Sequence, residues 1–363
     1  MKNSALIPKL RFPEFKDLWN EQRLEEITST FQSGKNITAK FITADGKYPV
    51  FGGNGLRGYT DSFNHEGCFI LIGRQGALCG NINLIDGETF VSEHAIAVQA
   101  NNSSDIYWLA QKLDFMNLNQ YSESSAQPGL AVSKLGRLKL KIPSLPEQQK
   151  IAAFLTAVDD KIQSLSKKKA LLERYKKGVI QQIFNQEIRF KDENGNVFLD
   201  WEEKKLRDVC ENIYSGKTKP QQNGEYSLYG STGIIGKCAS FTHSGEYILI
   251  ARVGANAGIV NMVSGSFSVT DNTLIVDCKS QVNTVFIYYV LIYSSLNKLV
   301  FGSGQPLITS GQLKSLIIRL PVLEEQTKIA NFLSAIDNKI NYVNQQIAQT
   351  KLYKKGLLQQ MFV

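Results

Sequence analysis

The sequence predicts an α+β protein made of two pseudo-symmetric halves, each a module on a small twisted β-sheet followed by a long helix, the two helices forming an antiparallel coiled coil. Three observations predict it: the chain repeats itself, short apolar runs broken by turn residues fill the first part of each repeat, and a heptad pattern fills the last part.

The repeat is found by shifting the 363-residue chain by 178 positions (143 to 321). Tyr48-Pro-Val-Phe-Gly52 then lies over Tyr226-Ser-Leu-Tyr-Gly230, Ile70-Leu-Ile-Gly-Arg-Gln-Gly76 over Ile248-Leu-Ile-Ala-Arg-Val-Gly254, and Tyr175-Lys-Lys-Gly178 over Tyr353-Lys-Lys-Gly356. Near the start the offset is 182, with Trp19 over Trp201 and Ser33-Gly-Lys35 over Ser215-Gly-Lys217. Self-similarity at one fixed period is the mark of a duplicated structural unit. The last forty or so residues of each half are close copies, whereas the stretches before them share mainly glycines, aromatics and short apolar runs, as a constant frame carrying two variable modules would.

Within the first module, Cys68–Ile72, Phe90-Val91, Ala95–Val98 and Leu138–Ile142 are short apolar or alternating runs bounded by glycine and asparagine, the pattern of strands. One helix is expected near Ile106–Leu118 and its counterpart near Ile287–Leu299. The expected boundaries are a module over 1–145, a helix over 146–187, a second module over 188–323 and a second helix over 324–363.

After Pro143 the period changes. Ile151, Leu155, Val158, Ile162, Leu165, Lys169, Leu172, Lys176, Val179 and Ile183 step by four and three, and so do Ile329, Leu333, Ile336, Ile340, Val343, Ile347, Thr350, Lys354, Leu357 and Met361. Sustained spacing of this kind is a coiled-coil seam. Ser144 and Glu147 offer a capping box at its start. A parallel pair would set Lys176 against Lys354 across one layer. Running antiparallel, with Ile151 opposite Met361, each lysine faces an apolar residue and can snorkel outward. Antiparallel helices relate tandem repeats by a pseudo-dyad. Because Leu10–Phe15 has a counterpart from Ile188 onward, directly after the first helix, the chain start should lie beside the end of the second helix, near Val363.

Composition narrows the function. A net charge of +8 favours a polyanionic partner. No apolar run approaches the roughly 20 residues of a membrane span, and no signal peptide is legible. The five cysteines are scattered with no CxxC, as expected of reduced residues in a cytoplasmic protein. Gly216-Lys217-Thr218 imitates the end of a phosphate loop, but the glycine that such a loop requires falls on Glu211. There is no Pro-Pro pair of the kind adenine methyltransferases use, no nuclease carboxylate–lysine cluster and no nucleophile elbow. His94 beside Glu93 has Asn272 as its mate, which could not share acid–base work.

The duplicated Leu145-Pro-Glu-Gln-Gln-Lys-Ile-Ala-Ala-Phe-Leu155 and Leu323-Glu-Glu-Gln-Thr-Lys-Ile-Ala-Asn-Phe-Leu333, followed by Asp159-Asp-Lys-Ile162 and Asp337-Asn-Lys-Ile340, resemble the specificity (S) subunit of type I restriction–modification systems over essentially the whole chain. The resemblance implies a non-catalytic DNA-binding subunit whose two target recognition domains each read one half of a bipartite site in double-stranded DNA. It implies two methyltransferase subunits docked on the helices, with restriction subunits joining them. S-adenosylmethionine, ATP and magnesium would all bind those partners and no cofactor this chain. The competing readings are a self-contained DNA-modifying enzyme and a coiled-coil adaptor with no DNA role.

Base readers and phosphate clamps are expected to be long polar side chains on glycine-punctuated loops at matching places in both halves. Those candidates are Lys35, Arg74, Gln75, Gln127 and Lys134 in the first module, and Lys217, Lys219, Arg252, Asn256 and Gln305 in the second. The Ser-Gly-Lys loops suit phosphate. Arg74 and Arg252, each after an apolar strand, are the leading pair, the alternative being that they brace loop carbonyls. Lys167, Lys168, Lys169, Lys354 and Lys355 on the helices are expected on solvated faces or beside phosphates.

Overall fold

The computed structural model describes residues 7–76, 78–123, 129–220, 224–302 and 306–362. The chain divides into two compact units, Met1–Ser166 with Asn344–Val363, and Lys167–Val343. Each unit therefore holds one module together with part of both long helices.

In the first unit the order is β1 (Asn20–Arg23), β2 (Thr28–Ser33), β3 (Tyr48–Gly52), β4 (Gly55–Thr60), β5 (Phe69–Gly73), β6 (Ile82–Ile85), β7 (Phe90–Val91), β8 (Ala95–Ala100), α1 (Ile106–Phe115), α2 (Val132–Gly136), β9 (Lys139–Ile142) and the start of α3 (Leu145–Phe184). The main sheet runs β2-β8-β5-β6; β4-β3-β7 and β1-β9 form two smaller ones. Alternation assigns the faces of β5 and β8. Ile70, Ile72, Ile96 and Val98 enter the main core with Trp108 and Leu109 of α1, while Phe69, Leu71, Ala95 and Ala97 fill a second, smaller core.

The second unit repeats this plan with β10 (Glu202–Lys205), β11 (Cys210–Ser215), β12 (Tyr226–Gly230), β13 (Gly233–Cys238), β14 (His243–Ala251), β15 (Val260–Val269), β16 (Thr273–Cys278), α4 (Thr284–Tyr293), α5 (Ser310–Ser315), β17 (Ile317–Leu320) and α6 (Leu323–Met361). Its central register is that of the first: Ile70 pairs with Val98 and Ile248 with Val276. One continuous β15 replaces β6 and β7, so β12 and β13 join a single six-stranded sheet, β11-β16-β14-β15-β12-β13. The helix expected near Ile287–Leu299 starts earlier, at Thr284, because Asn283 caps it by accepting from the Phe286 N–H at 3.0 Å. It stops at Tyr293, where Ser295 turns left-handed at φ 51°.

The two long helices run antiparallel inside each unit. In the first, Ile151, Leu155 and Val158 from the start of α3 share a core with Leu357 and Met361 from the end of α6. In the second, Val179, Ile180, Ile183 and Phe184 from the end of α3 share one with Ile329, Leu333 and Ile336 from the start of α6. Ile162, Leu165, Leu172, Ile340 and Ile347 are half-buried and Val343 is buried, so no apolar seam position faces open solvent.

Two expectations about these helices are corrected. The seam lysines do not snorkel. Lys354 Nζ donates to Asp159 at 2.8 Å, and Lys176 Nζ to Asp337 at 2.6 Å. Each carboxylate also accepts from its own module, Asp159 from Gln111 at 2.8 Å and Asp337 from the Tyr289 hydroxyl at 2.6 Å. A partly buried lysine that can reach a carboxylate gains more from a charged hydrogen bond than from hydration alone. Nor does Glu147 form a capping box with Ser144. It is 1 % exposed and accepts two bonds from Arg11, both at 2.7 Å, and one from the Trp19 indole at 3.3 Å. A buried guanidinium requires this paired partner, which outweighs a local cap.

Glu325, Arg189 and Trp201 repeat the arrangement. The next residue is equally committed. Gln148 accepts from the Asp105 N–H and donates to the Pro143 carbonyl, as Gln326 does with Asn283 and Pro321. The Glu-Gln pair in the duplicated segment is thus a structural clamp. The chain start is also where the repeat places it. Leu10 N–H donates to the Gln360 carbonyl at 2.9 Å, the counterpart of Ile188 N–H to Gln182 at 3.2 Å.

Candidate nucleic-acid interface

The end of β5 and the loops beside it gather three of the first module's candidates. Ser33-Gly34-Lys35 leaves β2 pressed against the backbone of residues 91 and 92. A β-carbon on Gly34 would sit 2.3 Å from both the Val91 and Ser92 carbonyl oxygens, so only glycine fits. Lys35 N–H donates to Val91 and its own carbonyl accepts from Glu93, leaving the ammonium exposed. Gly216 repeats the approach at 2.2 Å from the Val269 carbonyl. The glycines of the Ser-Gly-Lys loops therefore serve a close backbone crossing, which also explains the false likeness to a phosphate loop.

Arg74 and Arg252 turn out to brace the loops with part of each guanidinium. Arg74 Nη1 donates to Ser33 Oγ at 2.9 Å and lies 3.5 Å from the Glu93 carbonyl. Arg252 Nη1 donates to the equivalent Asp271 carbonyl at 3.2 Å, and its Nε is buried with no partner among the described residues. Gln75 Oε1 is 3.2 Å from His94 Nδ1, and His94 Nε2 is 3.1 Å from Glu93. Ser33, Arg74, Gln75, Glu93 and His94 form one polar group beside the end of β5, with the Lys35 backbone bonded at its edge to Glu93.

The other candidates are more scattered. Lys134 stands on α2, paired loosely with Glu123 at 3.7 Å, and among the described residues no ion pair joins it to the Arg74 group. Lys217 and Lys219 are exposed with no ion pair among the described residues, and Asn256 is half-exposed in the loop after β14. Gln127 and Gln305 lie outside the described residues. On the helices Lys169 pairs with Glu173 at 3.8 Å, Lys167, Lys168 and Lys355 are exposed, and Lys354 is the Asp159 partner described above.

Two features were missed from the sequence. His65 and His243, 178 residues apart, are repeat mates. Burial and then the nearby Lys35 charge hold His65 below the usual histidine range; burial does the same to His243, opposed by Asp277. Applying the 178-residue shift to the histidines would have paired them. Arg57, near the start of β4, lies 3.5 Å from Ser92 Oγ and so borders the same group; its repeat mate is Ile235, so no shared motif marked it. Among the described residues no three His, Cys, Asp or Glu side chains gather as a metal site, all five cysteines are free, and no helix is long and apolar enough to cross a membrane.

The family model of the type I restriction modification DNA specificity domain matches residues 16–174 and again 199–352, and the chain belongs to that family. It is 50 % identical over 119 residues to the Type I restriction enzyme EcoprrI specificity subunit of Escherichia coli, a match covering 33 % of this chain and 30 % of that one. It is 24 % identical over 361 residues to the MjaVIII specificity subunit of Methanocaldococcus jannaschii, covering 89 % and 81 %. Among solved structures, the S subunit of a type I restriction–modification system from M. genitalium superposes with a TM-score of 0.70 at 18 % identity, over 98 % of this chain and 99 % of that one, a likeness of fold.

Proposed function

We propose that this chain is the sequence-reading subunit of a cytoplasmic type I restriction–modification assembly, each module reading one half of a bipartite site in duplex DNA. The observation that carries the reading is the same loop frame at the end of the central strand, built twice. In both modules a Ser-Gly-Lys crossing, an arginine at the end of the central strand and a glycine turn are held by equivalent backbone bonds, while the side chains around them differ. Two readers with one frame and different surfaces are what an asymmetric bipartite sequence needs. The net charge of +8 supplies attraction to phosphate, which positions without specifying.

Catalysis belongs, on this reading, to partners. Two methyltransferase subunits dock on the α3 and α6 helices and bring S-adenosylmethionine, and restriction subunits with ATP and magnesium complete the assembly. The candidate side chains here hold DNA and move no protons. The test is a module exchange in the assembled complex. Replacing residues 30–140 by the same region of a homologue is expected to change one half of the methylated sequence and leave the other intact, read by single-molecule methylation sequencing. An unchanged methylome refutes the assignment.

A further inference from the structure

We propose that the residues just past the turns of the two β-hairpins, Leu56-Arg57 at the start of β4 in the first module and Ile234-Ile235 at the start of β13 in the second, read base edges, with Leu56 and Ile234 pressed against thymine 5-methyl groups. The inference rests on the functional reading above and adds the chemistry recognised.

Leu56 is 53 % exposed and Ile234 61 %. One exposed aliphatic residue means little. These two, however, are repeat mates, in modules whose sequences otherwise share mainly turns and core. Both follow a glycine in the left-handed region, Gly55 at φ 93° and Gly233 at φ 104°, the residue that leaves the two-residue turn of each hairpin and enters the strand. The partner strand reinforces the match. A β-carbon on Gly52 would lie 2.7 Å from Arg57 Cδ, and one on Gly230 would lie 3.0 Å from Ile235 Cδ1. In each hairpin a glycine leaves room for the second of these residues to lie across the strand, while the first stands in solvent. The backbone is kept and the chemistry varies, arginine against isoleucine.

The hairpin borders the polar group around Arg74. A β-carbon on Gly53 would lie 2.8 Å from the His94 carbonyl and 3.4 Å from Arg74 N, so this turn sits directly on the Arg74 loop. Ser92 N–H donates to Phe51 at 2.8 Å, and Thr270 N–H to Tyr229 at 2.9 Å, fixing both hairpins to the equivalent place. Arg57 and the exposed Lys237 carry positive charge with no acidic partner among the described residues. A duplex held by that charge presents a polar groove floor on which the thymine methyl is the apolar group, and an aliphatic side chain is what recognises it. Arg57 suits guanine by the same chemistry, giving the two halves different preferences.

The experiment uses the complete chain assembled with its modification subunits. The methylated motif is read first; duplexes are then made with deoxyuridine in place of each thymine of the half-site assigned to the first module, which removes only the methyl group. The wild-type complex is expected to bind about fourfold more weakly at one such position, the factor one buried methyl supplies. Leu56→Ala should be insensitive to that replacement and relax the motif at the same base pair. It should still read the second half-site, which shows that the chain is folded; Ile234→Ala should give the mirror result. Wild-type sensitivity and motif retained by Leu56→Ala, or no sensitive thymine in either half-site, would overturn the contact. So would loss of both half-sites by Leu56→Ala, because a local base contact cannot erase the other. A wild-type complex that methylates no bipartite motif would overturn the functional reading and this contact with it.

Discussion

Glu147 concentrates at one side chain what holds each unit closed. It is buried, carries charge, and meets Arg11 and Trp19 from segments 136 and 128 residues away in sequence. The pair satisfies a guanidinium that is 10 % exposed. The Glu147 carboxylate in turn is why Arg11 holds its proton more tightly than usual, against the opposing effect of burial. Glu147→Ala removes the partner and leaves the cation buried, a loss of about 3–5 kcal/mol for ion pairs of this kind. That is a large part of a domain's stability, so the variant is expected to unfold at clearly lower urea concentration. Replacing both partners, Arg11→Met with Glu147→Leu, should recover most of the loss. If the single variant unfolds at the wild-type midpoint, the clamp contributes nothing.

At the scale of elements, legibility followed the number of residues that carry each signal. The helices α3 and α6 repeat a seam over forty positions, and their type and antiparallel sense were readable because two lysines at equivalent layers had to avoid each other. What the lysines do instead was not readable. Asp159 and Asp337 sit off the seam, and only the crossing of the helices brings Lys354 and Lys176 to them. Strands β5 and β8 were readable from runs such as Ile70–Ile72. The α4 boundary was missed because its apolar residues have no clear face, leaving the Asn283 cap as the one local signal. In the site, Arg74 was visible as a strand-end arginine, but its bond to Ser33 depends on a neighbour 41 residues earlier. Gly178 and Gly356 remain as a test of element energetics. Both lie inside long helices, at the same repeat position, and a β-carbon at either would meet nothing within 4 Å. Gly178→Ala and Gly356→Ala in the isolated chain are each expected to add about 0.5–1 kcal/mol of stability, seen as a higher denaturation midpoint. A lower midpoint would mean that the helix needs the glycine for its own packing.

Across the whole molecule, sequence order and structural unit do not coincide. The first unit is completed by the last twenty residues of the chain, whereas the second, Lys167–Val343, is continuous. The C-terminal segment gives the first unit Leu357, Met361 and Phe362 in the core around Trp108, the Lys354 partner of Asp159, and the Gln360 carbonyl that receives Leu10. Each large apolar side chain lost from a core costs about 2–5 kcal/mol, and a domain's whole stability is about 5–15 kcal/mol. Three such losses together therefore exhaust it. Ending the chain after Val343 leaves every residue of the second unit in place. Hydrogen exchange on the truncated chain is expected to show lost protection in β5 and α1, which line the depleted core. In β14 and α4, whose core keeps Val179, Phe184, Ile329 and Leu333, protection should persist. Equal loss in β14 would show that the two units fold as one cooperative body, and equal persistence in β5 would show that the first module's own residues suffice for its core.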